Sequence, residues 1–192
     1  MKIKLLAILS TLALLAPATY AQQQPDMSAL MGAMGAMFGA AANQTGTVEV
    51  VNFRDLKALL PDSIGSAKRK SAGGEKNSVM GFTISQAEGT YESGSAQTSI
   101  KFIDYGGTAI MGLLGAWAMT DVDRETDTSY ERTTKIKGFK ALEKFDSSSK
   151  SGETQILVAN RFMVEIEVND GTEKDMQAAA NAIDLKKLSE LK

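Results

Sequence analysis

Over most of its length after residue 78 the chain runs in short stretches where apolar and polar positions alternate. Thr98 to Asp104 puts Ile100 and Phe102 on one side of an extended segment and Ile103 on the other. The stretch before it, Ser78 to Tyr91, carries Val79, Phe82, Ile84 and Tyr91, and Glu92-Ser93-Gly94-Ser95 lies between the two. Two alternating runs around such a turn predict a β-hairpin. Four more strand-like runs follow: Ser129–Ile136, Phe139–Phe145, Thr154–Ala159 and Phe162–Val168. The polar link Ser147–Gly152 and the tight join Asn160-Arg161 make them a meander. A short strand is expected at Thr47–Val51, and the Ser/Gly/Lys-rich residues 62–76 read as a loop.

Helical spacing occurs in three places. Asn52 is a good N-cap, Asp55 favours the first turn, and Phe53, Leu56, Leu59 and Leu60 recur at helical period before Pro61. Gly106 to Thr120 is apolar nearly all round and reads as a buried helix containing Trp117; with about 14 uncharged residues it is too short to cross a bilayer. Thr172 caps a last helix with Met176, Ala179, Ala180 and Ile183, and Leu185, Leu188 and Leu191 extend it or form a second short one. The order is helix, hairpin, buried helix, four-stranded meander, helix. It predicts an α+β domain over 47–192, with a mostly antiparallel sheet of about six strands and helices packed on its faces, an α/β/α sandwich.

This order resembles the Mog1/PsbP-like group of α/β/α sandwich domains. The residues carrying the resemblance are Val51-Asn52-Phe53 with Leu59-Leu60-Pro61, the strand Ile100–Asp104, the block Ile136–Ala141, and Arg161-Phe162, over about residues 48–191. The resemblance implies a non-catalytic binding or accessory domain. Some members are lipoproteins; this chain has no cysteine to lipidate, and no site residue carries over.

The first 21 residues have another pattern. Lys2 and Lys4 precede the apolar run Leu5–Ala16, Pro17 follows, and Thr19-Tyr20-Ala21 offers small residues where a signal peptidase reads. This matches a secretory signal peptide over 1–21 and predicts export, to the periplasm first and the exterior second. Without Lys2 and Lys4 the balance is 19 basic to 23 acidic residues, which argues against nucleic acid as a partner.

Residues 22–46 form a low-complexity Met/Ala/Gly segment. On a helical wheel Met27, Met31, Met34 and Phe38 share a face with Leu30 and Met37 beside them, while Ala and Gly fill the rest. Four readings stay open: a linker, a helix for self-association or capture of a protein partner, weak membrane-surface contact, or a Cu(I) site of thioethers from Met27, Met31, Met34 and Met37. The candidate interaction residues are therefore Met27, Leu30, Met31, Met34, Met37 and Phe38.

Among its 192 residues the chain has neither Cys nor His. That removes the commonest general base, thiolate nucleophiles and the usual zinc ligands, so no enzyme and no resident cofactor is expected. Ser147 and Lys150 fit the Ser-x-x-Lys spacing of acylating enzymes but sit in a polar turn. Asp121, Asp123, Glu125 and Asp127 alternate, yet Thr126 and Arg132 break the EF-hand pattern. Lys68-Arg69-Lys70 is a small basic cluster in the expected loop. The overall expectation is an exported, non-enzymatic binding or accessory protein, with a small-ligand or copper binder as the alternative.

Overall fold

The computed structural model describes residues 49–79, 82–106 and 119–192. They belong to one unit of the chain, Met37–Lys192; the other unit, Met1–Ala36, contains no described residue.

Asn52 accepts the Arg54 N–H at 3.0 Å and starts helix α1 (Phe53–Ala58), as the cap predicts. Strands β1 (Ser63–Ile64), β2 (Ala67–Val79), β3 (Phe82–Ser93) and β4 (Ala96–Asp104) follow. After them come β5 (Asp123–Glu125), β6 (Ser129–Ile136), β7 (Phe139–Asp146), β8 (Ser151–Val158) and β9 (Phe162–Asn169). Helices α2 (Glu173–Ala182) and α3 (Leu185–Glu190) close the chain. Thr172 and Asp175 form a reciprocal capping box at the start of α2.

The strands form a single nine-stranded sheet in the order β1-β2-β3-β4-β9-β8-β7-β6-β5, antiparallel at every step. Two meanders are thus joined at a central seam, β4 against β9, where Ile100 faces Ile166 and Phe102 faces Val164.

This corrects the α/β/α sandwich with about six strands: the sheet is half as large again, and the described helices are few, short and on one face. Leu56 of α1, Ala179 and Ala180 of α2, and Leu185 and Leu188 of α3 all join the cluster of Tyr91, Ile100, Phe102, Ile156, Val164 and Ile166. Strand alternation explains that shared face, because most alternate residues of β4, β9 and β8 (Thr98, Ile100, Phe102; Phe162, Val164, Ile166, Val168; Thr154, Ile156, Val158) are β-branched or aromatic and point the same way. Each such side chain, fully buried, stabilises the fold by about 1.5–3 kcal/mol.

Two other expectations change. Residues 62–76, read as a loop, hold β1 and most of β2. Glu49 to Val51, read as the end of a strand, has no regular structure. The signal peptide, the Met/Ala/Gly segment and all but the ends of Gly106–Thr120 lie outside the described residues.

Turn chemistry sets the registers. Lys137 and Gly138 both adopt positive φ in the two-residue turn from β6 to β7, the geometry that matches strand twist. Lys137 also donates from Nζ to the carbonyls of Asn181 (2.9 Å) and Ile183 (2.6 Å), satisfying the end of α2.

Candidate functional site

Buried polar groups carry the highest energetic stakes in the fold. Asp104 ends the inward series Thr98, Ile100, Phe102, and its residue is 0% exposed. Arg161 donates to it from Nε (2.9 Å, to Oδ1) and Nη2 (2.7 Å, to Oδ2). The N–H of Val51 donates to Oδ2 at 2.7 Å and that of Gly106 to Oδ1 at 2.9 Å. Arg161 Nη2 also reaches the Glu49 carbonyl at 2.9 Å. A buried carboxylate with four donors is fully satisfied, so this cluster fastens the chain entry and the β8–β9 turn to β4.

A second polar cluster lies where α2 meets β6 and β7. Arg132 donates to Glu143 from Nε (3.2 Å) and Nη2 (3.1 Å) and to Glu173 at 3.4 Å. Its guanidinium sits 4.2 Å over the Tyr130 ring, and the Tyr130 hydroxyl donates to Glu173 at 2.9 Å. Burial, then the hydrogen bond and charge of Glu173, hold that phenol protonated well above its ordinary range. It serves as a donor, and the cluster pins the first turn of α2 to the sheet.

The other sheet face is different. Across β5 to β9 it forms an open groove of about 500 Å³, floored by Arg124, Glu131, Lys144, Glu153 and Glu167. Cross-strand register places these side by side: Arg124 beside Glu131, Glu131 beside Lys144, Lys144 beside Glu153, Glu153 beside Glu167. Glu131 bridges Arg124 at 2.8 Å and Lys144 at 3.4 Å. Glu153 and Glu167 face each other as like charges, which opposes the pairing. Burial raises the Glu165 carboxyl above the usual range; Lys101 pulls it back, while Glu153, Glu167 and Glu88 push it further up. Toward the 105–122 connection the same face turns apolar, with Ile103, Leu157 and Met163 packed beside Ile84 and Tyr105.

The sheet's margins form a third feature. Among the described residues β1 pairs with β2 only at Ala67 and Lys68, so Ser71 to Val79 has no strand on its outer side. At the opposite margin no described strand lies outside β5. The basic Lys68-Arg69-Lys70 therefore stands on a strand, where Arg69 is tied to the Leu60 carbonyl (2.7 Å) and Asp62 (2.6 Å). Asp123 and Glu125 stand exposed on β5.

Of the candidates from sequence, Met27, Leu30, Met31, Met34, Met37, Phe38 and Trp117 lie outside the described residues. Ser147 and Lys150 fall in the exposed β7–β8 turn, where the Ser147 hydroxyl donates to the Thr128 carbonyl at 2.9 Å. Among the described residues no three Asp or Glu side chains are placed to hold a metal ion, the Asp121–Asp127 series included. Nor is any described helix long and apolar enough to cross a membrane. Sequence reasoning missed the Asp104–Arg161 pair. The parity that sends Phe102 inward also sends Asp104 inward, and a buried carboxylate needs a cation.

No family model, no curated protein and no solved structure matches this chain.

Proposed function

We propose that this chain is an exported, non-enzymatic binding or accessory protein that acts through protein–protein contact. The observation supporting the reading is the division of the sheet. One face lies under helices, while the β5–β9 part of the other face and, among the described residues, both margins offer charge-patterned positions. On the helix side the charged clusters Asp104–Arg161 and Arg132–Glu143–Glu173 are occupied in mutual hydrogen bonds that fasten elements together, which leaves the open surfaces for recognition. A wide, shallow, mixed-charge surface suits another polypeptide better than a small molecule, which needs an enclosed, mostly apolar site.

Export rests on the Lys2/Lys4, Leu5–Ala16 and Thr19–Ala21 pattern, with the periplasm as the first destination. Residues 22–46, whose Met27, Met31, Met34 and Phe38 share one side of a helical wheel with Leu30 and Met37 beside them, are proposed as a further contact element. The test is deletion of 22–46 with light scattering and cross-linking of the exported protein. A changed mass or a lost cross-linked partner supports the reading. An unchanged mass and an unchanged cross-linking pattern count against the segment. Recovery of the full chain in the cytoplasm, still carrying Met1, overturns export.

A further inference from the structure

The two margins of the sheet fit each other. In an antiparallel sheet a residue's face and the direction of its backbone groups alternate together. Arg69 lies on the helix-covered face, opposite Tyr91, and sends its N–H outward to the Asp62 carbonyl at 3.1 Å. Beyond the irregularity at Arg69/Ser71, the residues of β2 on that same face are Ala72, Gly74 and Lys76, opposite Gly89, Ala87 and Ser85. Their backbone groups therefore point outward too. At the far margin the Thr126 N–H reaches Ser129 and the Val122 carbonyl accepts from Thr133, so these two residues point inward. Asp123 and Glu125, between them in alternation, point outward.

Strand direction completes the match. Each neighbour in the nine-strand order is antiparallel, so β2 and β5 run in opposite directions. A second copy displaced sideways across the strands brings its β5 antiparallel to β2, with its helices on the same face. One register then sets Gly74 against Glu125. It places Lys76 opposite Asp123 on the helix-covered face and Glu75 opposite Arg124 on the open face. Both are opposite-charge pairs, and both outward-pointing pairs can exchange backbone hydrogen bonds. Gly73 falls opposite Thr126. Nothing lies within 4 Å of where its Cβ would be, so intramolecular packing does not demand a glycine there. Glycine within a strand often marks close approach of another backbone. The β5–β6 turn of the second copy ends short of β1, which occupies only Ala67 and Lys68.

We infer that this protein self-associates head to tail, the β2 margin of one copy adding to the β5 margin of the next to continue the sheet. This rests on reading the protein as one that acts by contact, and it names a second copy as a partner. An isologous contact of β5 on β5 is disfavoured, since every register brings Asp123 and Glu125 toward their own kind. A heterologous contact that does not close gives open chains. With only three residues in β5 the contact is small, so association is weak, reversible and sensitive to salt.

The test is sedimentation velocity on the full chain across protein concentration at low and high salt. Mass rises with concentration past the dimer at low salt and falls back at high salt. Lys76→Asp alone and Asp123→Lys alone each weaken association by roughly tenfold or more. Mixing the two variants restores it, because each reversed margin then meets its complement. Glu125→Pro, which removes an outward N–H with no partner among the described residues, weakens association with the same melting curve as the parent. The inference is overturned by a chain that stays monomeric, by association that stops at a dimer, or by reversals that change nothing. It is overturned also by a mixture no heavier than its parts. If association survives the reversals but is lost on deleting 22–46, the contact reading stands and the edge-to-edge inference alone fails.

Discussion

On the covered face, Ile100, Ile166, Ile156 and Phe102 meet Leu56, Ile183 and Leu188, and the buried Asp104 and Glu143 are each paired with an arginine. One residue along each strand, on the other face, Lys101, Glu165, Glu167 and Glu153 stand partly or fully exposed, with the like charges Glu153 and Glu167 side by side. The same nine strands supply both surfaces, so the difference comes from period-two alternation alone. Burial punishes an unmatched group on one side, whereas the other side tolerates mismatches that water screens.

The largest expected break in that comparison is at Asp104. Asp104→Ala leaves Arg161 and the N–H groups of Val51 and Gly106 without their acceptor, at a cost of about 3–5 kcal/mol. Urea unfolding measures it; a loss below 1 kcal/mol would remove the pair from the covered side's rules. A pH series comes next. The Tyr91 hydroxyl donates to the Pro61 carbonyl at 2.7 Å, and burial pushes its pKa from 10.0 up to about 12, with Arg69 opposing. The unfolded chain gives up this proton near pH 10 while the folded chain keeps it. Stability is therefore level below pH 10 and falls between 10 and 12, by about 2 kcal/mol. Tyr91→Phe flattens that slope in unfolding experiments at pH 9 and 11.5.

Adjacent glycines sharpen the contrast within one strand. A Cβ on Gly74 would come within 2.8 Å of Phe53 Cδ2 and 2.9 Å of the Gln86 carbonyl, so Gly74→Ala costs about 1–3 kcal/mol. Gly73→Ala meets nothing and is neutral or stabilising by up to about 1 kcal/mol, as read by thermal melting. The smallest effect is on the open face. Lys144→Met removes an exposed bridge to Glu131 and changes stability by less than about 1 kcal/mol, less still at high salt.

The strands visible in sequence are those whose alternation is written in large side chains. β4, β6, β7, β8 and β9 fall within a few residues of the expected runs, and the caps at Asn52 and Thr172 work as read. β2 was hidden for a physical reason. Its inward positions include Ala72 and Gly74, and Phe53 of α1 fills the space that larger side chains would occupy, so no apolar period remains. β5 is three charged or polar residues and carries no period at all. Apolar spacing shows that a helix is buried without showing which face of the sheet it covers, so the one-sided placement of the described helices is not legible in it. The fit between the margins depends on strand order, and no local spacing encodes it.

The central seam has a kinetic consequence. Every other strand pair joins neighbours in sequence and can form as a local hairpin, whereas Asp104 and Arg161 at the seam are 57 positions apart. Closing a loop of that size instead of a two-residue turn costs about 3 kcal/mol more in chain entropy. The two meanders are thus set to form early and independently, and the docking of β4 on β9 limits the folding rate. A nascent chain that has emerged only through β4 exposes that strand's unpaired edge, so synthesis passes through a stage when an inner strand of the finished sheet is open to mispairing.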